Sequence, residues 1–598
     1  RDAYQDCLPL LSEYRTWVGQ HEGLYNAYLA LKNSPEFATY SVAQKKAIEN
    51  ALRDFELSGI GLSEEKQKRY GEIVARLSEL SAQFSNNVLD ATMGWEKVIE
   101  DESELAGLPE SALLAAKQSA ESKGLKGYRL TLEIPSYLPI MTYCENAALR
   151  EEMYRAYATR ASDQGPNAGK WDNTAIIEEI MTLRVELAKL LGFNTYTERS
   201  LATKMAENPQ QVLDFLNNLA DRSKAQGEKE LAELKAYCEK EFGVTELAPW
   251  DISFYSEKQK QHLYAINDEE LRPYFPEDRV ISGLFELIKR IFNIRAVERF
   301  DVDTWHKDVR FFDLIDETDE VRGSFYLDLY ARENKRGGAW MDDCIGRKRN
   351  ADGSIQKPVA YLTCNFNAPI GDKPALFTHD EVTTLFHEFG HGIHHMLTKV
   401  DVPDVAGING VPWDAVELPS QFMENWCWEK EALDFISGHF ETHEPLPEEK
   451  LNQLLKAKNY QAAMFVLRQL EFGLFDFTLH HTFKVGKANQ VLDTLKAVKD
   501  KVAVIKGVEW ARTPHSFSHI FAGGYAAGYY SYLWAEVLSA DAFSRFEEEG
   551  IFNPVTGKSF LDEILTRGGS EEPMVLFKRF RGREPQLDAL LRHKGIAN

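Results

Sequence analysis

The stretch Thr378-His-Asp-Glu-Val-Thr-Thr-Leu-Phe-His387-Glu388-Phe389-Gly390-His391 decides how the rest of this chain is read. Val382, Leu385, Phe386 and Phe389 recur at helical intervals, and Thr378 with Glu381 has the spacing of a capping box, so a helix is expected to start near residue 379. Residues i and i+4 of a helix stand one above the other on one face. His387 and His391 can therefore reach one metal ion, with Glu388 beside it and placed to take a proton from a water molecule. With 15 histidines in 598 residues, an H-E-x-x-H string arises by accident in roughly 0.03 chains of this composition. A structural pair of core histidines is the competing reading.

The neighbouring histidines do not extend the set. Eight residues of helix rise about 12 Å, too far for His387 and His395 to share an ion whose ligands sit near ~2 Å. His391 paired with His395 would put Gly392 where the proton acceptor should stand, so His394 and His395 are read as packing or outer-shell residues. Gly390 costs about 1 kcal/mol against alanine in a helix, and its expected use is close approach by another backbone.

A catalytic zinc needs a third protein ligand and an open position. The pattern H-E-x-x-H-x-x-G-x-x-H does not supply it, because His394 stands at the glycine position and Leu397 at the third histidine position. Downstream, Trp413-Asp-Ala-Val-Glu417-Leu-Pro-Ser-Gln421-Phe-Met-Glu424-Asn-Trp426 has the period of a second helix, with Glu417, Gln421 and Glu424 on one face. From spacing alone Glu417 is equally a ligand or the capping-box partner of Asp414. A third stretch, His519-Ile-Phe-Ala-Gly523-Gly524-Tyr525-Ala-Ala-Gly-Tyr529-Tyr-Ser-Tyr532, opens on a glycine hinge. The residues after it, up to Phe546, have a helical pattern that sets Tyr525, Tyr529 and Tyr532 on one face. Such a stripe is core, or it is a set of hydroxyl donors for a developing oxyanion.

Taken together, these three stretches resemble the thimet oligopeptidase family of zinc peptidases, and the resemblance runs through nearly the whole chain. It implies one Zn²⁺ held by His387, His391 and Glu417, with Glu388 as the catalytic base. Tyr532 and His519 are implied as catalytic donors to the oxyanion, and Tyr525, Tyr529, Gly523 and Gly524 as substrate contacts. The fold it implies is mainly α, a two-lobed helical zincin metallopeptidase with a deep central channel that excludes folded proteins. The function it implies is a zinc-dependent oligopeptidase, an endopeptidase cutting internal bonds of short unstructured peptides in intracellular turnover, signal-peptide fragments included. The alternatives are a peptidyl-dipeptidase releasing C-terminal dipeptides and a non-catalytic peptide-binding protein.

Composition agrees with a large enzyme. A net charge of -24 argues against nucleic acid or an anionic membrane as partner. No apolar run reaches the roughly 18 residues of a bilayer span, and no secretory leader pattern is present. Six scattered cysteines show no paired spacing, which suits a reducing cytoplasm and leaves a cysteine-ligated metal without support. Short peptides are the expected partners and a monomer the expected state. The chain opens on Arg1 within a helical pattern, and the resemblance implies further helical sequence ahead of it.

Helical periodicity dominates Glu64 to Asp90, Asn146 to Ala161, Asn173 to Leu191 and Pro209 to Phe242. A break around Gly124, Gly127, Pro135 and Pro139 divides the chain into an N-terminal helical region, 1–140, and a catalytic region, 141–598, whose lobes interleave. Val309 to Ile315, Arg322 to Tyr330 and Val359 to Phe366 read as strands, the first two joined by a polar turn at Asp316 to Glu320. They predict a small antiparallel sheet ahead of the motif helix, one edge of which could pair with an extended peptide.

Overall fold

The computed structural model describes residues 1–596. It is 60% helix and 8% strand, so the mainly α expectation holds. Long amphipathic helices fall where apolar periodicity places them, at Glu64–Met93, Ala147–Ala158, Thr174–Leu190 and Pro209–Phe242. Pro209 occupies the first helical turn, where a missing N–H costs nothing, and Gly243 ends the helix in the left-handed conformation that favours glycine. Pro135 and Pro139 do not break the chain as expected but lie within helix Ile134–Tyr143, the former in its first turn. That helix runs across residue 140 and packs with Ile99, Leu130, Leu149 and Met153 in one core.

One five-stranded sheet lies just before the motif helix in the chain. Its strands are β1 (Arg295–Arg299), β2 (Arg310–Ile315), β3 (Val321–Tyr330), β4 (Trp340–Ile345) and β5 (Val359–Phe366), in the order β1-β2-β3-β5-β4. The sheet is mixed, which corrects the antiparallel expectation: β3 and β5 run parallel, with Phe325 opposite Ala360 and Leu327 opposite Leu362. The cause is the excursion after Tyr330. It returns as β4, which pairs antiparallel with the outer side of β5 and leaves β5 inside the sheet. Side chains of a strand alternate between faces, and Ala360, Leu362, Cys364 and Phe366, all on one face, are buried, while Val359, Tyr361 and Asn365 on the other are half-buried. β4 remains as an edge.

The motif helix, His379–Met396, packs its apolar stripe on this sheet. Val382, Leu385, Phe386, Phe389 and Ile393 join Phe325, Leu327 and Leu362 in one large core. A second core, centred on Phe84, Ile180 and Phe475, includes Phe517, Phe521, Tyr525 and Tyr529. The candidate site lies where residues of these two cores meet. No helix among the described residues is long and apolar enough to cross a membrane, and all six cysteines are free.

Candidate active site

The motif helix begins as its capping box requires. The Glu381 N–H donates to Thr378 Oγ1 at 3.1 Å, and the Thr378 N–H donates to Glu381 Oε1 at 3.0 Å. From that start the helix carries His387 and His391 on one face, their rings 5.1 Å apart. Gly390 lies on the side facing the helix Leu418–Glu424, and a Cβ there would stand 2.4 Å from the Pro419 carbonyl oxygen. Close backbone approach, the use expected of this glycine, brings Glu417 against the imidazoles. Glu417 Oε2 lies 3.1 Å from His387 Nε2 and 2.9 Å from His391 Nε2.

The reading of Glu417 as a cap for Asp414 is overturned. Asp414 instead accepts from the Met205 and Ala206 N–H groups and from the Tyr530 hydroxyl. Nor does a helix span Trp413 to Trp426: it begins at Leu418, with Glu417 just ahead of it. Pro419 sits in its first turn, where proline is tolerated because the N–H there has no helical partner.

These side chains suit a divalent cation. His387 Nε2, His391 Nε2 and a Glu417 oxygen lie within 4.8 Å of one another, a nitrogen and oxygen set of the kind catalytic zinc takes. The neighbourhood is rich in acid and poor in cations. Glu388 and Glu417 are buried, and among the described residues their only ion-pair partners are the two histidines. Burial pushes the Glu417 carboxyl up, but His391 and His387 override it and hold it well below the usual carboxylate range. Burial pulls His387 down, yet hydrogen bonds to Glu417 and Glu424 raise it well above the usual histidine range.

The surroundings of the donors are ordered. His387 Nδ1 faces Glu424 Oε2 at 2.8 Å, an arrangement that fixes the ring and leaves Nε2 free to ligate. Ser420 Oγ donates to Glu417 Oε2 at 2.8 Å, and Tyr525 Oη donates to Glu417 Oε1 at 2.7 Å. Glu388 has one buried carboxylate oxygen, Oε2, with no hydrogen-bond partner. Burial raises its pKa, with the two histidines opposing. The carboxylate lies beside the two imidazoles with the acceptor capacity of Oε2 unused.

His394 and His395 stay outside the cluster, as expected. His395 Nε2 sits 3.0 Å from the Ile345 carbonyl oxygen of β4 and 3.2 Å from Asp343. His394 is buried, which pushes its pKa down to about 3.

The tyrosine-bearing segment closes the other side. Tyr525 stacks on Tyr532 at 4.8 Å between centroids, and the His519 ring lies 5.7 Å from Tyr525 and 6.1 Å from Tyr532. His519, Gly523 and Gly524 are exposed, Tyr532 is half-buried and Tyr525 is buried. The protein wall around His519 desolvates it and holds its pKa below the usual histidine range. Tyr529 departs from its expected role: it is buried, its hydroxyl donates to Gln469 Oε1 at 2.9 Å, and its ring packs on Phe472 and Phe517.

The expected helix from Tyr525 is also corrected, since helical structure starts at Ser531. Gly524 takes φ +84°, Ala527 takes φ +48°, and the Asp476 carboxylate accepts from the N–H groups of Ala527, Gly528 and Tyr529 at 2.9 to 3.0 Å. A buried carboxylate that binds three successive amides replaces the helical bonds the segment would otherwise make. Sequence reasoning missed Asp476, which carries no local signal. It also left Glu424 without a role, although its position on the Glu417 face was a usable clue.

Comparison with known proteins agrees with this geometry. The model of peptidase family M3 matches residues 140–596, and that of the neurolysin/thimet oligopeptidase N-terminal domain matches residues 1–67. The chain belongs to peptidase family M3. This M3 peptidase is 88% identical over 598 residues to oligopeptidase A of Haemophilus influenzae, covering 100% of this chain and 88% of that protein. It is 73% identical over 596 residues to oligopeptidase A of Escherichia coli, with the same coverage. Among solved structures, PZ peptidase A with an inhibitor superposes with a TM-score of 0.62 at 15% identity, covering 100% of this chain and 87% of that one. That likeness shows a shared fold.

Proposed function

We propose that this M3 metallopeptidase is a zinc-dependent oligopeptidase that cuts internal bonds of short unstructured peptides, signal-peptide fragments among them. The observation that carries the reading is the convergence of His387, His391 and Glu417 beside the unpartnered buried carboxylate of Glu388. The high identity to proteins named oligopeptidase A supports it.

In this reading His387, His391 and Glu417 hold one Zn²⁺, which when bound supplies Lewis acidity to the scissile carbonyl and to the attacking water. Glu388 accepts the proton of that water and later delivers it to the leaving amine. Tyr532 and His519 donate hydrogen bonds to the oxygen on which charge develops. Tyr525 orients Glu417 through its 2.7 Å hydrogen bond. Gly523 and Gly524, exposed at the loop edge, are assigned as backbone contacts to the substrate. Tyr529 holds the loop in place through Gln469.

The edge strand β4 ends at Ile345, beside His395 of the motif helix. An extended peptide can add to such an edge with main-chain hydrogen bonds, which gives tolerance of side chains. We further assign a monomer in the cytoplasm, a central channel between two lobes, no nucleic-acid or membrane partner, and an N-terminal helical region ahead of the catalytic region. Free cysteines and the net charge of -24 support the compartment and the partners.

The test is mass spectrometry of the products from a mixed peptide pool, with and without a chelator. Internal cuts that stop on chelation and return with zinc are expected. A peptidyl-dipeptidase would stall on substrates whose C-terminal carboxylate is amidated, and such stalling would overturn the endopeptidase reading.

A further inference from the structure

A cavity of about 370 Å³ adjoins the tyrosine-bearing loop. Ala522, Gly524 and Ala526 of the loop form one wall, and Arg184, Arg199 and Lys204 form another. The same segment thus turns Tyr525 toward Glu417 and its small neighbours toward the cavity. Among the described residues, none of the three cations has a carboxylate oxygen within 4.0 Å. In a chain with 93 Asp and Glu against 69 Lys and Arg, three cations sharing one cavity without an acid form a local excess of positive charge.

Their donors are only partly used. Arg184 is 7% exposed, and its guanidinium makes one hydrogen bond, Nη1 to His480 Nε2 at 2.9 Å. Arg199 Nε is buried without a partner, and Nη1 reaches only the Tyr196 hydroxyl at 3.4 Å. Lys204 Nζ donates to Ser200 O and Oγ, both at 2.8 Å. Burial pulls Lys204 down to about 8, with Asp414 and Asp476 opposing. Neither acid serves as a counter-ion inside the cavity. Asp414 is taken by Met205, Ala206 and Tyr530, and Asp476 by the loop amides. The Nε of Arg199, buried without an acceptor, is costly to keep. Two guanidinium forks and an ammonium match the oxygens of a carboxylate or phosphate.

We propose that this cavity binds a small oxyanion, a carboxylate or a phosphate, between Arg184, Arg199 and Lys204. A hydrogen-bond chain links the site to the loop. Arg184 donates to His480 Nε2, His480 Nδ1 lies 2.8 Å from the Asp476 carbonyl oxygen, and the Asp476 carboxylate holds the Ala527, Gly528 and Tyr529 amides. Anion occupancy therefore steadies the segment that presents Tyr525 and Tyr532. This coupling rests on the functional reading above, while the binding itself does not.

Calorimetry of the full chain with inorganic phosphate, at constant ionic strength set with chloride, reads binding whether or not the protein hydrolyses peptides. Saturable binding is expected. Arg199→Gln should weaken it by roughly tenfold or more, and Arg199→Lys should retain part of it. Arg199 is the less buried arginine, and thermal melts verify that both variants fold. A second arm separates the sources of the oxyanion. If it is the end of a substrate, Arg199→Gln raises KM for a peptide with a free C-terminal carboxylate and leaves the amidated peptide unchanged. If it is a free anion, phosphate alters kcat on the amidated peptide in the wild type and has no effect in Arg199→Gln. Absence of phosphate binding at tens of millimolar together with unchanged KM for both peptides overturns the proposal, and so does phosphate binding that Arg199→Gln leaves intact.

Discussion

Gly390 faces Pro419 so closely that an added Cβ would stand 2.4 Å from the Pro419 carbonyl oxygen and 2.6 Å from Ser420 Cα. Helix propensity alone favours alanine at this position by about 1 kcal/mol. The obstacle is backbone, which cannot rotate aside as a side chain would, and overpacking of this kind costs about 1–3 kcal/mol or more. Gly390→Ala is therefore expected to lower the melting temperature, and by displacing Glu417 to lower the metal content of the purified protein. A rise in both would show that the approach is dispensable.

Glu424 holds His387 from behind, 2.8 Å from Nδ1. Glu424→Ala removes the group that sets the tautomer and basicity of the His387 imidazole, and with His387 as a ligand the expected loss is about 10- to 100-fold in metal affinity. Competition against a chelator of known affinity reads this directly, and an unchanged affinity would mean that His387 is oriented by packing alone.

Glu388 lies 3.9 Å from His387 Nε2, and its other oxygen is buried without a partner. Glu388→Gln keeps the shape and removes the carboxylate proposed as the base. Turnover should fall by about 10²- to 10⁴-fold, with metal content and peptide affinity retained. Hydrolysis at the wild-type rate by the metal-replete variant would remove Glu388 from the mechanism.

Tyr532 is stacked on Tyr525 and is half-buried. In Tyr532→Phe the stack survives and the hydroxyl is lost, so kcat should drop by about 10²- to 10³-fold while KM changes little. A change confined to KM would move Tyr532 from transition-state stabilisation to ground-state binding.

Asp328 tests the sheet beside the site. Burial pushes this carboxylate up, but Arg332, Trp305 and Lys335 outweigh it and hold it at about 2. A carboxyl whose folded pKa is depressed contributes stability that is complete above its unfolded value near ~3.9 and is lost as pH falls toward the folded value. Asp328→Asn should thus be less stable than the wild type at neutral pH. In denaturant titrations the gap should narrow between about pH 4 and pH 2, whereas a gap independent of pH would assign the effect to packing.

Much of this was legible in the residues. The capping box at Thr378 and Glu381 marked the helix start, and strand β5, Val359–Phe366, carries the bounds expected of it. Helix Pro209–Phe242 also ends where its pattern ends. The errors share a cause. A helix was expected from Tyr525 because the tyrosines have its period, yet Asp476, remote in sequence, binds three amides in that segment and delays the helix to Ser531. The sheet was expected to be antiparallel because consecutive strands usually pair, yet β4 returns to the outer side of β5.

By itself the sequence determined that two imidazoles share one helix face and that a carboxylate stands next to the first of them. Each follows from the fixed pitch of a single helix, which any folded context must respect. Only the tertiary structure decided that Glu417, and not a more local group, meets those imidazoles, that Glu424 stands behind His387, and that Tyr525 bonds to Glu417 across 108 residues. Such contacts depend on how separate elements pack, and spacing along the chain carries no distance information once two helices are joined by a loop.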